Sequence, residues 1–133
     1  MKILLSIKPE YLARIIDGTK EFEYRRHLAS KPVDSILFYA TAPVQQIIGE
    51  VEVRGTKSSS PTVLWEQTKK TAGISRKEYR AYFHGCKVAH AYILGEFQKF
   101  NSPKKISEFG ITHAPQSFAY IYEADESQKG TSF

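Results

Sequence analysis

Between residues 18 and 25 the chain reads GTKEFEYR, and Gly18, Lys20, Glu23 and Arg25 are of the types that receive an anion or move a proton. Glu23 and Arg25 stand two residues apart, so on an extended chain they share a face. There the carboxylate can orient the guanidinium and leave part of its planar fork open to a phosphate or a base edge. Lys20 is expected to add a mobile point charge at the rim. To act as base or nucleophile it would have to be partly neutral near pH 7, which takes desolvation or neighbouring positive charge, and the adjacent Glu21 and Glu23 are expected to hold its proton on. The alternative reading of Glu23 and Arg25 is an ion pair on an outer sheet face that contributes little.

The flanking elements position these residues. Ile3 to Ile7 forms an apolar strand; PEYLARIIDG then reads as a helix with Pro9 at its first position, Glu10 near its positive end, a stripe of Leu12, Ile15 and Ile16, and Gly18 ending it with a positive φ. From Lys20 to Arg26 the period becomes two, with Phe22 and Tyr24 on one face and Glu23 and Arg25 on the other, which predicts a half-buried strand. SILFYATAP is a strand closed by Pro43. QQIIGEVEVRGT is a long strand with Ile47, Gly49, Val51 and Val53 on one face, Gly49 marking a bulge or a close backbone approach. SSSPTVLWEQTKK, capped by Ser60, and SRKEYRAYFHG, with Ser75 and Glu78 in a capping box and Gly85 at its end, form a helical insertion. CKVAHAYILGEFQKF is a further long strand, SPKKISEFG a connector with one helical turn, and SFAYIYE the last strand. With no repeat or linker in view, residues 1–123 are expected to make one domain, followed by a polar tail over 124–133. About six strands, several long and broken by glycine, imply an α+β fold built on a small, bent β-barrel with packed helices.

Gly18, Lys20, Glu23 and Arg25 spell GxKxxExR after a helix and at the opening of a strand. On this motif, and on LLSIKPEYLARIIDGTKEFEYRR, YATAPVQQIIGEVEV, AYFHGCKVAHAYILGEFQKF and APQSFAYI in that order, the sequence resembles the ASCH domain family, small barrels similar to the PUA RNA-binding fold. The resemblance implies a cleft between the sheet and the first helix, into which the motif and the YATAP loop project, and a nucleic-acid or nucleobase ligand. Family members include nucleic-acid-binding domains, a ribonuclease and an amidohydrolase of acylated cytidine. The amidohydrolase uses a lysine, a threonine and a glutamate: Lys20 matches the lysine, Glu23 stands in the threonine's place, and KTAGIS, where the glutamate would fall, contains no carboxylate. Tyr39 and Thr41 before Pro43, with Gln116 and Ser117 opening the last strand, are candidates for a second wall that stacks on a base and hydrogen-bonds its edge.

The 133 residues carry 19 Lys and Arg against 14 Asp and Glu, a net charge of +5 that favours a polyanionic partner. Lys69, Lys70, Arg76, Lys77, Arg80 and Lys87 give the helical insertion a basic character that could track a nucleic-acid backbone; a solvated charged face is the other reading. Aromatic residues make up 13% of a chain that is 41% hydrophobic, a globular rather than disordered composition. The single cysteine, Cys86, cannot form an internal disulfide. The apolar run of MKILLSIKPE is cut at Lys8 and Pro9, short of a signal-peptide core or a membrane span, so a cytoplasmic location and no membrane partner are expected. The histidines at 27, 84, 90 and 113 lack close ligand spacing, and neither a metal nor a cofactor is expected. The expected function is binding of RNA or another nucleic acid. Its alternatives are an enzyme acting on RNA, for which Lys20, Tyr39 and His27 are candidate acid and base groups, an enzyme acting on a modified nucleoside with Lys20 as its catalytic residue, or a sensor of a nucleotide-like small molecule.

Overall fold

The computed structural model of the chain describes residues 1–122; the tail expected over 124–133 lies outside the described residues. The elements run β1 (Lys2–Ile7), α1 (Pro9–Ile16), β2 (Phe22–Arg25), β3 (Ser35–Ala40), β4 (Gln46–Ser59), α2 (Pro61–Thr68), α3 (Arg76–Tyr82), β5 (Ala89–Lys104) and β6 (Phe118–Ile121), with 3-10 turns at Lys69–Thr71 and Ile106–Phe109. The six strands form one sheet in the order β2-β5-β4-β3-β1-β6. Among the described residues only the β1–β3 pairing is parallel. The sheet curls into a half-barrel, the expected α+β architecture.

The curl has a local cause in β4 and β5, which pair along most of their lengths with register shifts between Ile47 and Gly49, Val51 and Val53, and Val53 and Gly55. Each shift bends the strand and adds twist. Gly49 is required where the strands close in, because a Cβ there would lie 2.5 Å from the Gln98 carbonyl oxygen. The same bulge corrects the expected face assignment. Val51 joins the main core with Ile3, Leu5, Ile36, Phe38 and Leu12, whereas Ile47 packs with Leu4, Leu37, Tyr39 and Ile121 on the other side. One extra residue between them turns the alternation over.

In α1, Pro9 and Glu10 occupy the first turn, and Gly18 follows the helix with φ 86°. The buried stripe is Leu12 and Ile15 with Tyr11 packed beside them, while Ile16 is 49% exposed. The stripe is therefore rotated by one position from the expected one, because the helix lies on the sheet along its 11–15 edge. The helical insertion covers the opposite face of β2 and β5, where Leu64, Ala72, Tyr79 and Phe83 enclose Tyr24, Ala89 and Ala91. Its caps are those expected: Ser60 Oγ accepts from Val63 N, and Ser75 and Glu78 form a reciprocal box with both bonds at 3.0 Å.

The edge strands β2 and β6 share no backbone ladder. Side chains close the gap: Arg25 Nη2 donates to Ser117 O at 2.9 Å and Oγ at 3.3 Å, and in the loop after β2 Lys31 N donates to Tyr120 Oη at 3.2 Å.

Candidate functional site

The strand expected over Lys20–Arg26 begins only at Phe22, because the two residues before it pair elsewhere. Lys20 bridges Ala72, and Glu21 N donates to Thr71 O at 2.9 Å. This detour draws the Lys20 side chain inward until it is 4% exposed. Lys20 is thus a buried residue, not a mobile charge at the rim. Its Nζ donates to Phe22 O at 2.6 Å and Ala72 O at 3.3 Å, lies 4.0 Å from Glu23 Oε1, and stands 5.1 Å from the Tyr24 ring centroid. Desolvation pushes its pKa below the ordinary 10.5 and outweighs the Glu23 carboxylate; Arg14 lowers it further and Glu78 opposes. Burial and the Glu23 carboxylate thus act on this amine in opposite directions, burial the more strongly. The two carbonyls take two of its N–H groups.

Lys20 lines a concavity of about 250 Å³ with Ser6, Ile7, Lys8, Tyr11, Glu23, Tyr24, Ile74, Glu78 and Tyr82. Its walls are the end of β1, helix α1, strand β2 and helix α3. Its charged lining comprises Lys8, Lys20, Glu23 and Glu78, two of each sign. Tyr11 Oη donates to Glu78, whose carboxylate also accepts from Ser75 N and is held near pKa 2; the Tyr11 phenol is pushed up to about 12. Tyr24, 5% exposed, is fixed from behind. Thr68 Oγ1 donates to Leu64 O at 2.7 Å, so the 2.7 Å contact with Tyr24 Oη uses the tyrosine as donor. A wider depression of about 770 Å³ lies along Val44–Gln46 and Lys105–Thr112, and Lys105 is its one charged lining residue.

The expected site residues divide between this concavity and other places. Glu23 and Arg25 share a face as the alternation requires, with Arg25 Nη1 3.5 Å from Glu23 Oε2, and Glu23 lines the concavity. Arg25 does not line it. Its Nη2 is committed to Ser117, leaving only Nε and part of Nη1 for a ligand. Ser117 is thereby joined to the motif, and Pro115, two residues earlier, accepts from Ser6 Oγ at 2.9 Å, while Gln116 between them is exposed. Tyr39 packs among Leu4, Leu37, Ile47 and Ile121 on the face of β3 opposite Phe38, and Thr41 follows β3 with its N–H on Ile7 O; neither lines the concavity. His27 is exposed and outside it. Lys69, Lys70, Arg76, Lys77, Arg80 and Lys87 are all exposed, and Lys69 pairs with Glu66 at 2.7 Å.

Sequence reading missed Tyr11, Gly73 and Glu78. Gly73, at φ 69°, packs so closely that a Cβ would fall 2.3 Å from Lys20 Cβ, and its carbonyl accepts from Arg14 Nη1 at 2.7 Å. A glycine two residues before the Ser75 cap, in the link between α2 and α3, was the available signal. From sequence Glu78 reads as the capping-box partner of Ser75. The structure also places its carboxylate on the concavity that Lys20 lines.

Comparison with known proteins agrees with this architecture. The ASCH domain model matches residues 5–104. Over 120 residues the chain is 30% identical to a Ureaplasma parvum protein named ATP synthase subunit alpha and 28% identical to one named large ribosomal subunit protein uL22, covering 90% of this chain in each case. It spans only 15% and 39% of those relatives' lengths. A protein of Zymomonas mobilis named ASCH domain-containing ribonuclease is 29% identical over 131 residues, covering 95% of this chain and 87% of that protein. The crystal structure of ASCH from Zymomonas mobilis superposes with a TM-score of 0.84 at 28% identity, covering 99% of this chain and 94% of that one. A family match over most of the domain, together with a half-barrel shared along nearly the whole chain, establishes that this protein belongs to the ASCH domain family and has its PUA-like α+β fold.

Proposed function

We propose that the chain binds single-stranded RNA, that the concavity around Lys20 receives one nucleoside of it, and that the chain cleaves the RNA there. The observation that carries this reading is the buried Lys20 amine, held on two carbonyls with a lowered pKa beside Glu23. A volume of about 250 Å³ lies below the range of drug-sized pockets and suits a single base with its sugar. Tyr11 and Tyr82 offer ring surfaces to the base, and the Glu23 and Glu78 carboxylates accept from exocyclic N–H groups on its edge. Because the lining is balanced in charge, the phosphates beyond the scissile one belong at the mouth, where Lys8 is exposed. The likeness to a protein named a ribonuclease supports the choice of RNA.

Cleavage by internal transfer needs one proton moved from the 2′-hydroxyl to O5′. The 2′-oxygen attacks phosphorus, the P–O5′ bond breaks, and Nζ of Lys20 takes the first proton and returns it to O5′, leaving a 2′,3′-cyclic phosphate and a 5′-hydroxyl. Incubation with end-labelled single-stranded RNA tests this. Cyclic-phosphate products that vanish in Lys20→Met, with RNA affinity retained, are expected. Retained affinity without products in the unaltered chain would reduce the function to binding. Equal affinity for a free nucleoside and an oligonucleotide would replace RNA with a small nucleotide-like ligand.

A further inference from the structure

Helix α3 is a partition. Glu78 and Tyr82 face the concavity around Lys20, whereas Arg76, Tyr79, Arg80 and Phe83 face a second one of about 290 Å³, closed on its far side by Pro61, Thr62 and Trp65 of α2. Trp65 gives the second concavity its accessible aromatic surface, backed by the buried Tyr79 and Phe83, with arginines on its rim. The half-buried Trp65 ring lies 4.8 Å from Tyr79, which stands 4.8 Å from Phe83 and is fixed by its hydroxyl, donating to Pro61 O at 2.6 Å. Arg76 and Arg80, four residues apart and therefore on one helix face, are exposed and form no ion pair among the described residues. Glu66 senses the Arg76 charge but is held by Lys69 at 2.7 Å.

We infer that this groove between α2 and α3 is a second nucleotide site for the same RNA strand, taking a base against Trp65 and its phosphates on Arg76 and Arg80. The inference rests on the RNA reading above. Unpaired arginines around an aromatic floor are the complement of a stacked base with an anionic backbone, and they offer nothing to an acidic peptide that the aromatic wall would improve. The two concavities flank one helix, so their separation is close to a helix diameter of about 10–12 Å. A single strand bridges that with a few nucleotides.

Trp65 is the only tryptophan in the chain, so its fluorescence reports on the groove alone. Titration with a fluorescein-labelled single-stranded octauridylate, read by both tryptophan emission and fluorescein anisotropy, should give saturable quenching with the same midpoint as the anisotropy. Arg76→Gln with Arg80→Gln, both exposed and safe for folding, should weaken binding roughly tenfold and flatten the dependence of log affinity on log salt by about 1.4, the loss of two phosphates on a single strand. Anisotropy showing binding while Trp65 emission stays constant and the double variant binds unchanged would overturn the second site and leave the first intact. No binding by either readout would overturn both.

Discussion

A lysine buried to 4% exposure keeps its proton only by finding anions or carbonyls, and Lys20, just before β2, has two carbonyls with Glu23 at 4.0 Å. Its folded pKa lies below the unfolded 10.5, so between the two values the unfolded chain binds more protons and stability rises with pH. Comparing the unaltered chain with Lys20→Met in urea between pH 7 and pH 10 cancels every other titration. The difference in unfolding free energy should move in favour of the unaltered chain as pH rises. A difference independent of pH would mean that Lys20 titrates normally. Gly73 is the residue that makes the burial possible, since its left-handed backbone and missing Cβ leave room for the lysine stem. Gly73→Ala is expected to cost roughly 1–3 kcal/mol in urea denaturation, from the strained φ together with a contact that must be relieved by moving Lys20.

At the scale of elements, Glu78 does two jobs. It closes the box at the start of α3 through Ser75 N, and it accepts from Tyr11 Oη, which ties α3 to α1 across the concavity. Its carboxyl is lowered from the usual 4.5 to about 2, chiefly by the Tyr11 hydroxyl and then by Ser75. The sign follows: the contribution is complete above about pH 4.5 and fades as pH falls toward 2, because the unfolded chain takes up the proton first. Glu78→Gln should therefore lose stability relative to the unaltered chain at pH 6, with the gap narrowing between pH 4.5 and pH 2 in thermal melts. The carboxylate is exposed, so screening keeps the effect small. A gap that widens in acid would refute the assignment.

The whole molecule is a sheet that curls without completing its ladder, and Arg25 spans the opening by binding Ser117 before β6. Arg25→Ala should consequently destabilise the fold by about 1–3 kcal/mol in urea, as expected for the loss of partly buried charge-assisted bonds, besides any change in RNA affinity. An RNA defect with unchanged stability would make Arg25 a ligand group only. Net charge acts at this scale too. With +5 overall and exposed cations on the helical insertion, neutralising roughly four or five phosphates gives a slope of log affinity on log salt near −3, about a sixtyfold loss between 50 and 200 mM salt. Anisotropy titrations across that range measure it, and a flat response would exclude backbone binding.

Features set by neighbours along the chain were legible without coordinates: Pro9 starting α1, Gly18 leaving it, the Ser60 cap, the Ser75–Glu78 box, and the alternation that puts Glu23 beside Arg25. Each depends on hydrogen bonds or side-chain periodicity spanning a few residues, which residue types encode directly. Features that depend on distant segments were not. Whether Lys20 lies at a rim or in the interior is decided by residues 71–73, some fifty positions away, whose backbone captures residues 20 and 21. The side on which Ile47 and Tyr39 pack is decided by where a bulge falls in β4 against two partner strands, and Arg25 meets Ser117 only because the sheet curls far enough to bring its edges together. Local sequence specifies which groups a segment can offer, but burial and charge state arise from what the fold packs against them, and for Lys20 those are the properties on which its proposed chemistry depends.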